Sequence, residues 1–377
     1  MAENKEKKVL NVPNLRFPEF EGEWQETRLK EISKFSKERL NSIELSCCNY
    51  VTTENMLQDY KGIVSATNLP TNTNVVKFSK GDVLLSNIRP YLKKVWYADR
   101  NGGCSADVFV FKALPICNSN FLHHVIANDR FIKFVMGGAK GVKMPRGDKE
   151  QMITYKVGLP CIEEQKKIAT LLSLLDERIS TQNKIIEDLK KLKSAISKKL
   201  LDNDRWTTYK IQDIAKIGRG RVISSVEIER QKHPLYPVYS SQTSNDGIMG
   251  YLDDYMFDGE YITWTTDGAN AGTVFYRKGK FNCTNICGTL KIQPKYDCYF
   301  VSLVLQQATQ KYVSFNLANP KLMNNIMASI KIKMPDIEMQ KQLSKIFQTL
   351  DSCLLVHQRT CDMYSREKQY LLCQMFI

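Results

Sequence analysis

The stretch LPCIEEQKKIATLLSLLDERI, beginning at Leu159, returns 175 residues later as MPDIEMQKQLSKIFQTLDSCL, beginning at Met334. A repeat at this distance constrains the fold more than composition does, because both copies must find the same kind of surroundings. Two further blocks recur in the same order. WQETRLKEISKF from Trp24 matches WTTYKIQDIAKI from Trp206 at an offset of 182, and KGDVLLSN around Gly81 matches DGEYITWT around Gly259 at 178. The falling offset means that the second copy is a few residues shorter between its Trp and its helix, as loops allow. The halves share a frame and differ in their connections.

The repeated stretch opens a long helix. From Cys161 to about Leu201 there is no Gly or Pro, and Pro160 stands just ahead, where a proline is compatible with a helix start. Alternating steps of four and three give the seam Ile168, Leu172, Leu175, Ile179, Gln182, Ile186, Leu189, Lys193, Ile196 and Leu200. At the 175 offset the second copy has Leu343, Phe347, Leu350, Leu354, His357, Cys361, Tyr364, Lys368, Leu371 and Met375. The polar breaks coincide: Gln182 with His357, Lys193 with Lys368. Such breaks either restrict register and orientation or mark where the seam meets solvent. A helix of roughly 40 residues is about 60 Å long and cannot bury its stripe alone. Its copy is the expected partner, antiparallel and with pseudo-twofold symmetry.

Each long helix follows a globular unit. NVVKF, GDVLLS, KVWYA and DVFVFK read as strands between Gly, Asn and Pro turns. SNFLHHVIANDRFIKFVMGG reads as one helix, capped by Ser119 and stopped at Gly137-Gly138, with DCYFVSLVLQQATQKYVSF as its counterpart. The expected fold is therefore α+β: mixed globular domains at 1–158 and 203–333, with long helices at 159–202 and 334–377. A chain of 377 residues is long for a single core, in agreement with this division.

The formal charge of +14 favours a polyanionic partner, nucleic acid first, although excess lysine also serves solubility. Eleven scattered cysteines without a C-x-x-C pair read as reduced thiols, and Cys283 and Cys287 lack the companions of a zinc site, so no metal is expected. The opening MAENKEKKVL has no apolar signal core and no run is long enough to span a bilayer, which leads to the expectation of a cytoplasmic protein that avoids membranes. His123, His124 and His357 read as structural. No phosphate loop, Gly-rich S-adenosylmethionine loop or NPPY-like tetrapeptide is found, and Asp188-Leu189-Lys190 sits mid-helix as solvated charge. No catalytic residue is assigned.

With LRFPEFEGEW from Leu15, GDVLLSNIRPYLKK from Gly81 and the paired LPCIEEQKKI and MPDIEMQKQL helix starts, the chain resembles the specificity (S) subunits of type I restriction-modification systems over its whole length. The resemblance implies two target recognition domains, each reading one half of a split, asymmetric site in double-stranded DNA, with the paired helices setting the gap. It implies a non-catalytic subunit on which two methyltransferase (M) subunits assemble to methylate adenine, and which restriction (R) subunits can join. S-adenosylmethionine, ATP and Mg would belong to those partners, with no cofactor in this chain. A coiled-coil scaffold or adaptor that binds proteins, and a self-sufficient DNA-modifying enzyme, are the competing classes.

Base reading needs Arg, Lys, Asn, Gln, Ser or Thr on loops. In the first domain SNIRPYLKK offers Asn87, Arg89, Lys93 and Lys94 beside Pro90, and Ser86 and Arg89 belong to the family motif, where a framework or phosphate role competes. GAKGVKMPRGDK and NLANPKLMNN align Pro145 with Pro320, which nominates Lys140, Lys143, Arg146 and Lys321 for phosphates, against ordinary surface charge. In the second domain Arg219 and Arg221 stand between glycines that let the backbone come close to a neighbour. Ser241, Gln242, Thr243 and Asn245, with Thr266, Asp267 and Asn270, supply polar loop groups, against a plain reading as turn formers.

Overall fold

The structure, a computed structural model, describes residues 11–201, 203–242, 244–314 and 319–377. It divides into two compact units, 1–185 with 357–377, and 186–356. The division cuts both long helices, Ile162–Leu200 and Ile337–Gln374, near their middles. Each unit therefore holds one globular domain, the first half of the helix that follows it, and the second half of the other helix.

The first unit opens with Gln25–Arg28, which pairs antiparallel with Lys156–Leu159, the strand that leads into the long helix. One helical turn, Leu29–Ile32, then enters a four-stranded sheet ordered Ser33–Phe35, Val108–Ala113, Val83–Ser86, Val95–Tyr97. The second unit repeats this: Thr207–Lys210 pairs with Lys331–Met334, and the turn Ile211–Ile214 enters a sheet ordered Ala215–Arg219, Cys287–Ile292, Glu260–Thr265, Val274–Lys278. One face of each sheet packs on helix. Val83, Leu85, Phe109 and Phe111 meet Phe121, Val125 and Leu172 in the first unit, while Ile262, Trp264 and Leu290 meet Phe300, Val304 and Phe347 in the second.

The sheet shows that the sequence alignment of the second block slips by one residue. Val83 and Leu85 face the helices as Ile262 and Trp264 do, so the structural offset is 179, not 178. A one-residue slip would turn every side chain to the other face. Gly81 and Gly259 both take positive φ in the preceding turn, but the second turn is one residue longer. The region read as a single helix from Ser119 is also two. Asn118 caps Ser119–Ile126 by accepting from the N–H groups of Asn120 and Phe121, and Asn128 caps Asp129–Gly137. Asparagine's short amide competes for backbone partners and ends one helix while starting the next. In the second unit Asp297 caps Cys298–Ala308.

The repeated glutamine explains the start of each long helix. Gln165 is 1% exposed; its amide donates to Pro160 O at 2.9 Å and Ile116 O at 3.1 Å, and accepts from Asn118 N at 2.8 Å. Gln340, 2% exposed, donates to Pro335 O at 2.9 Å and accepts from Asp297 N at 3.0 Å. Each glutamine thus ties the proline before its helix to the cap of the domain helix.

Within each unit the helix halves run antiparallel. In the first, Lys368 Nζ pairs with Asp176 Oδ1 at 2.5 Å and His357 Nδ1 meets Gln182 Oε1 at 2.7 Å, so numbering rises along one helix as it falls along the other. In the second, Lys193 pairs with Asp351, which also accepts from the Tyr299 hydroxyl at 2.5 Å. The two Lys–Asp pairs are related by the same 175 offset. All four polar breaks in the seam are therefore partnered, which favours the reading in which they fix register and orientation over simple contact with water.

Replacing Gln165 by Ala leaves the Asn118 N–H and Pro160 carbonyl unpaired in the interior and is expected to lower unfolding free energy by roughly 2–4 kcal/mol. Exposed Glu163→Ala on the same turn should change it by less than about 0.5 kcal/mol. Chemical denaturation of the full chain measures both. Equal stability of the two variants would refute the anchoring role.

Candidate nucleic-acid interface

In both units the central strand of the sheet runs out into a loop that is docked on a hairpin. Val83–Ser86 continues into Asn87, Ile88 and Arg89, and Ser86 Oγ donates to Ile88 O at 3.0 Å. The facing hairpin is closed by reciprocal bonds of 2.9 Å between Lys140 and Arg146, and it holds the loop through Arg89 N to Pro145 O at 2.8 Å and Gly147 N to Asn87 O at 3.2 Å. In the second unit Ser314 and Lys321 exchange reciprocal bonds of 2.9 and 3.0 Å, with Gly268 N to Pro320 O at 3.0 Å and Leu322 N to Thr266 O at 2.9 Å. Every one of these backbone bonds has its counterpart, so Arg146 and Lys321 occupy equivalent places.

The side chains on this common backbone differ. Arg89 stands where the second unit has Gly268, and both are left-handed, with φ of 51° and 97°. Glycine adopts that region freely, whereas for arginine it is strained. The first domain keeps an exposed arginine where its own backbone favours glycine, which points to a use for the guanidinium. Lys93 is left-handed too, at φ 53°.

Several predicted cations already have partners. Lys93 pairs with Asp129 at 2.8 Å, Lys140 with Asp148 at 2.6 Å, Arg146 with Asp107 at 3.3 Å, Arg221 with Glu227 at 2.5 Å and Lys321 with Asp267 at 3.6 Å. Lys94 donates to Thr53 O at 2.6 Å, and Arg219 reaches Asn324 Oδ1 at 3.4 Å. Among the described residues, exposed Arg89 and Lys143 have no ion-pair partner. Lys143 sits at the hairpin tip beside Val142, whose side chain is fully exposed.

In the second unit Ser241, Gln242, Asp267 and Asn270 come together around one groove of about 420 Å³, which Thr284 and Asn285 also line. The Gln242 amide nitrogen donates to Ile248 O at 2.5 Å, which leaves its carbonyl oxygen to accept from a ligand. Asn245 is exposed, with its left-handed backbone at φ 49°. Thr266 departs from expectation: it is 2% exposed and donates to Ile286 O at 2.9 Å, so it holds the loop rather than facing a ligand. The glycines around Arg219 also serve another end. A Cβ on Gly220 would lie 2.0 Å from Cys283 O and one on Gly218 2.7 Å from Thr289 Oγ1, so their bareness lets the chain approach its own strands. Thr243 lies outside the described residues.

The seam positions Ile168, Leu172, Leu175, Ile186, Leu343, Phe347 and Cys361 are buried, and Ile179, Gln182, Leu350, Leu354 and His357 are half-buried. His123, His124 and Asp176 bring potential ligand atoms within 4.8 Å of one another, but the Lys368 ammonium already occupies Asp176. Burial, with the Lys368 charge beside it, pushes His123 down to about 3 and His124 well below its usual value, so both are neutral at physiological pH. Burial likewise raises the Cys283 thiol and takes Cys287 to about 11, leaving both protonated. No helix among the described residues is long and apolar enough to cross a membrane.

Two copies of one frame, each with a polar loop held by matching backbone bonds, define a duplicated two-domain protein. The model of the type I restriction modification DNA specificity domain matches residues 21–191 and again 203–361, and the chain belongs to that family. A type I specificity subunit of Mycoplasma pneumoniae is 36% identical over 238 residues, 60% of this chain and 96% of that protein. The specificity subunit of the type I restriction enzyme MpnII, from the same organism, is 39% identical over 178 residues, 46% of this chain and 53% of that protein. The crystal structure of a type I S subunit from M. genitalium shares the fold, with a TM-score of 0.72 at 16% identity over 97% of this chain and 99% of that one.

Arg89→Gly removes backbone strain and should raise stability by about 0.5–1 kcal/mol while weakening DNA binding. Lys143→Ala should weaken binding to all duplexes alike and lower the salt slope by about one. Thermal melting alongside binding titrations in a salt series separates the two effects. An Arg89→Gly protein that binds DNA normally would remove Arg89 from the interface.

Proposed function

We propose that this chain selects the DNA site of a type I restriction-modification complex, reading one half of a split, asymmetric target with each globular domain and directing adenine methylation by partner methyltransferase subunits. The observation that carries this reading is the matched pair of loop-and-hairpin platforms, identical in backbone bonding and different in side chains. A shared platform with unlike readers suits two unlike half-sites. The charge of +14 supplies affinity for the DNA backbone.

In this reading the chain performs no chemistry. Two M subunits carry S-adenosylmethionine, and R subunits, where they join, use ATP and Mg to translocate and cleave. The paired helices act as the spacer between half-sites and as the seat for the M subunits.

Methylation-sensitive sequencing of DNA from cells with and without the gene should reveal a split motif, methylated on adenine in both halves, that disappears with the gene. A methylome unchanged by deletion would refute the proposal, and duplex binding by the assembled complex without sequence preference would favour a protein scaffold instead.

The reciprocal Lys–Asp pairs also define how the spacer can be altered. A heptad added between Asp176 and Lys193, together with one between Asp351 and Lys368, keeps both pairs and lengthens the seam by about 10 Å. The gap should grow by about three base pairs with both half-sites unchanged, as read by the same sequencing. Altered half-sites across an unchanged gap would contradict the spacer role.

A further inference from the structure

Arg277 lies on Val274–Lys278, the edge strand of its sheet, where no sequence signal distinguishes it, yet its side chain is only 4% exposed. Its guanidinium donates to Asp246 Oδ2 at 2.6 Å and to Asp246 O at 2.8 Å, and contacts Thr263 Oγ1 at 3.4 Å. It is stacked against Tyr239 at 3.6 Å and Phe275 at 4.4 Å from the ring centroids. A buried cation with its planar fork filled in this way is a fixed point.

What it fixes is the turn at Ser244–Gly247. Asn245 and Asp246 are consecutive non-glycine residues at φ 49° and 53°, a conformation that persists only when the surroundings dictate it. A Cβ on Gly247 would meet Gln242 O at 3.1 Å and Arg277 Nη2 at 3.3 Å, so the turn is packed directly on the guanidinium. The same loop carries Ser240, Ser241 and Gln242 to the groove.

The clamp is confined to the second domain. At the 179 offset its place is held by Ala98, 0% exposed, within an apolar layer of Leu84, Trp96 and Val110. The corresponding layer of the second domain contains Thr263, Thr265, Thr289 and Arg277, all buried. The frame therefore folds without this arginine, and only the loop requires it.

We propose that Arg277 is a positioning residue for the second half-site: by clamping Asp246 it holds Ser241 and Gln242 against Asp267 and Asn270, and so sets which bases the second domain accepts. This rests on the DNA-reading function proposed above, and deepens it.

The test uses the complete complex with its methyltransferase subunits on DNA pools randomised in one half-site at a time. Arg277→Lys keeps the charge and loses the fork. Asp246→Asn weakens the clamp from its exposed side and leaves the interior intact. Both should relax base choice in the second half by at least tenfold at one or more positions while the first half stays as selective as in the wild type. A structural role alone would lower melting temperature and total methylation without changing base preference, so that result overturns the proposal. An unchanged second-half preference in Asp246→Asn overturns it as well, and decides the matter if Arg277→Lys fails to fold. A wild-type complex that methylates no split site would defeat the DNA-reading function itself and this inference with it.

Discussion

The antiparallel seam is the interaction on which the rest depends. Each long helix carries an apolar stripe too long to bury on its own domain, and in both units the first half of one helix is covered by the second half of the other. Apolar burial favours association without selecting a direction. Direction comes from the polar positions: Lys368 on Asp176 and Lys193 on Asp351 are satisfied only in antiparallel register, and a parallel or slipped pairing would leave half-buried charges without partners. The pairs serve as registry devices more than as sources of net stability.

The domains repeat this economy of parts. Gln165 and Gln340 anchor each helix to its domain through the same bonds, and the loop-to-hairpin bonds around Arg89 and Gly268 also correspond. Divergence is confined to what the frame does not need. The layer over the outer face of the sheet is apolar in the first domain, around Phe78, Leu84, Trp96 and Val110, and polar in the second, around Thr263, Thr289 and Arg277. The second sheets differ as well, four-stranded in the first unit and three-stranded in the second. One frame can therefore hold two unlike sets of loop and outer-face side chains, since neither set contributes to the helix-facing core.

The seam and the strands were legible from spacing, because a period of 3.5 or 2 reports which face is buried. The helix starts were legible from the repeat and the proline ahead of it, whereas the anchoring by Gln165 and Gln340 was not. The correspondence of Arg146 with Lys321 followed from one proline offset. Other features escaped. Thr266 carries the same hydroxyl as any loop threonine, and nothing in TTDGANAG says that its partner is Ile286. The one-residue slip at Gly81 and Gly259 was hidden because matching glycines pulled the alignment onto the turn rather than the strand. Arg277 carries no sequence signal, because its partners Asp246 and Tyr239 come from a loop and strand some 30 residues or more away.

The sequence by itself determined the duplication, the helix lengths, the positions of the seam and the basic charge, all properties of local order or of simple repetition. Only the tertiary structure decided which polar groups are free. Lys93, Lys140, Arg146 and Arg221 each find an acid partner, while Arg89 is left exposed on a strained backbone and Ser241, Gln242, Asp267 and Asn270 are gathered at one groove. The reason is physical: a side chain's availability depends on which partners the folded backbone brings within reach. Those lie a few residues away for Lys140 and Arg221 and several tens away for Lys93 and Arg146, and residue type alone does not encode that geometry.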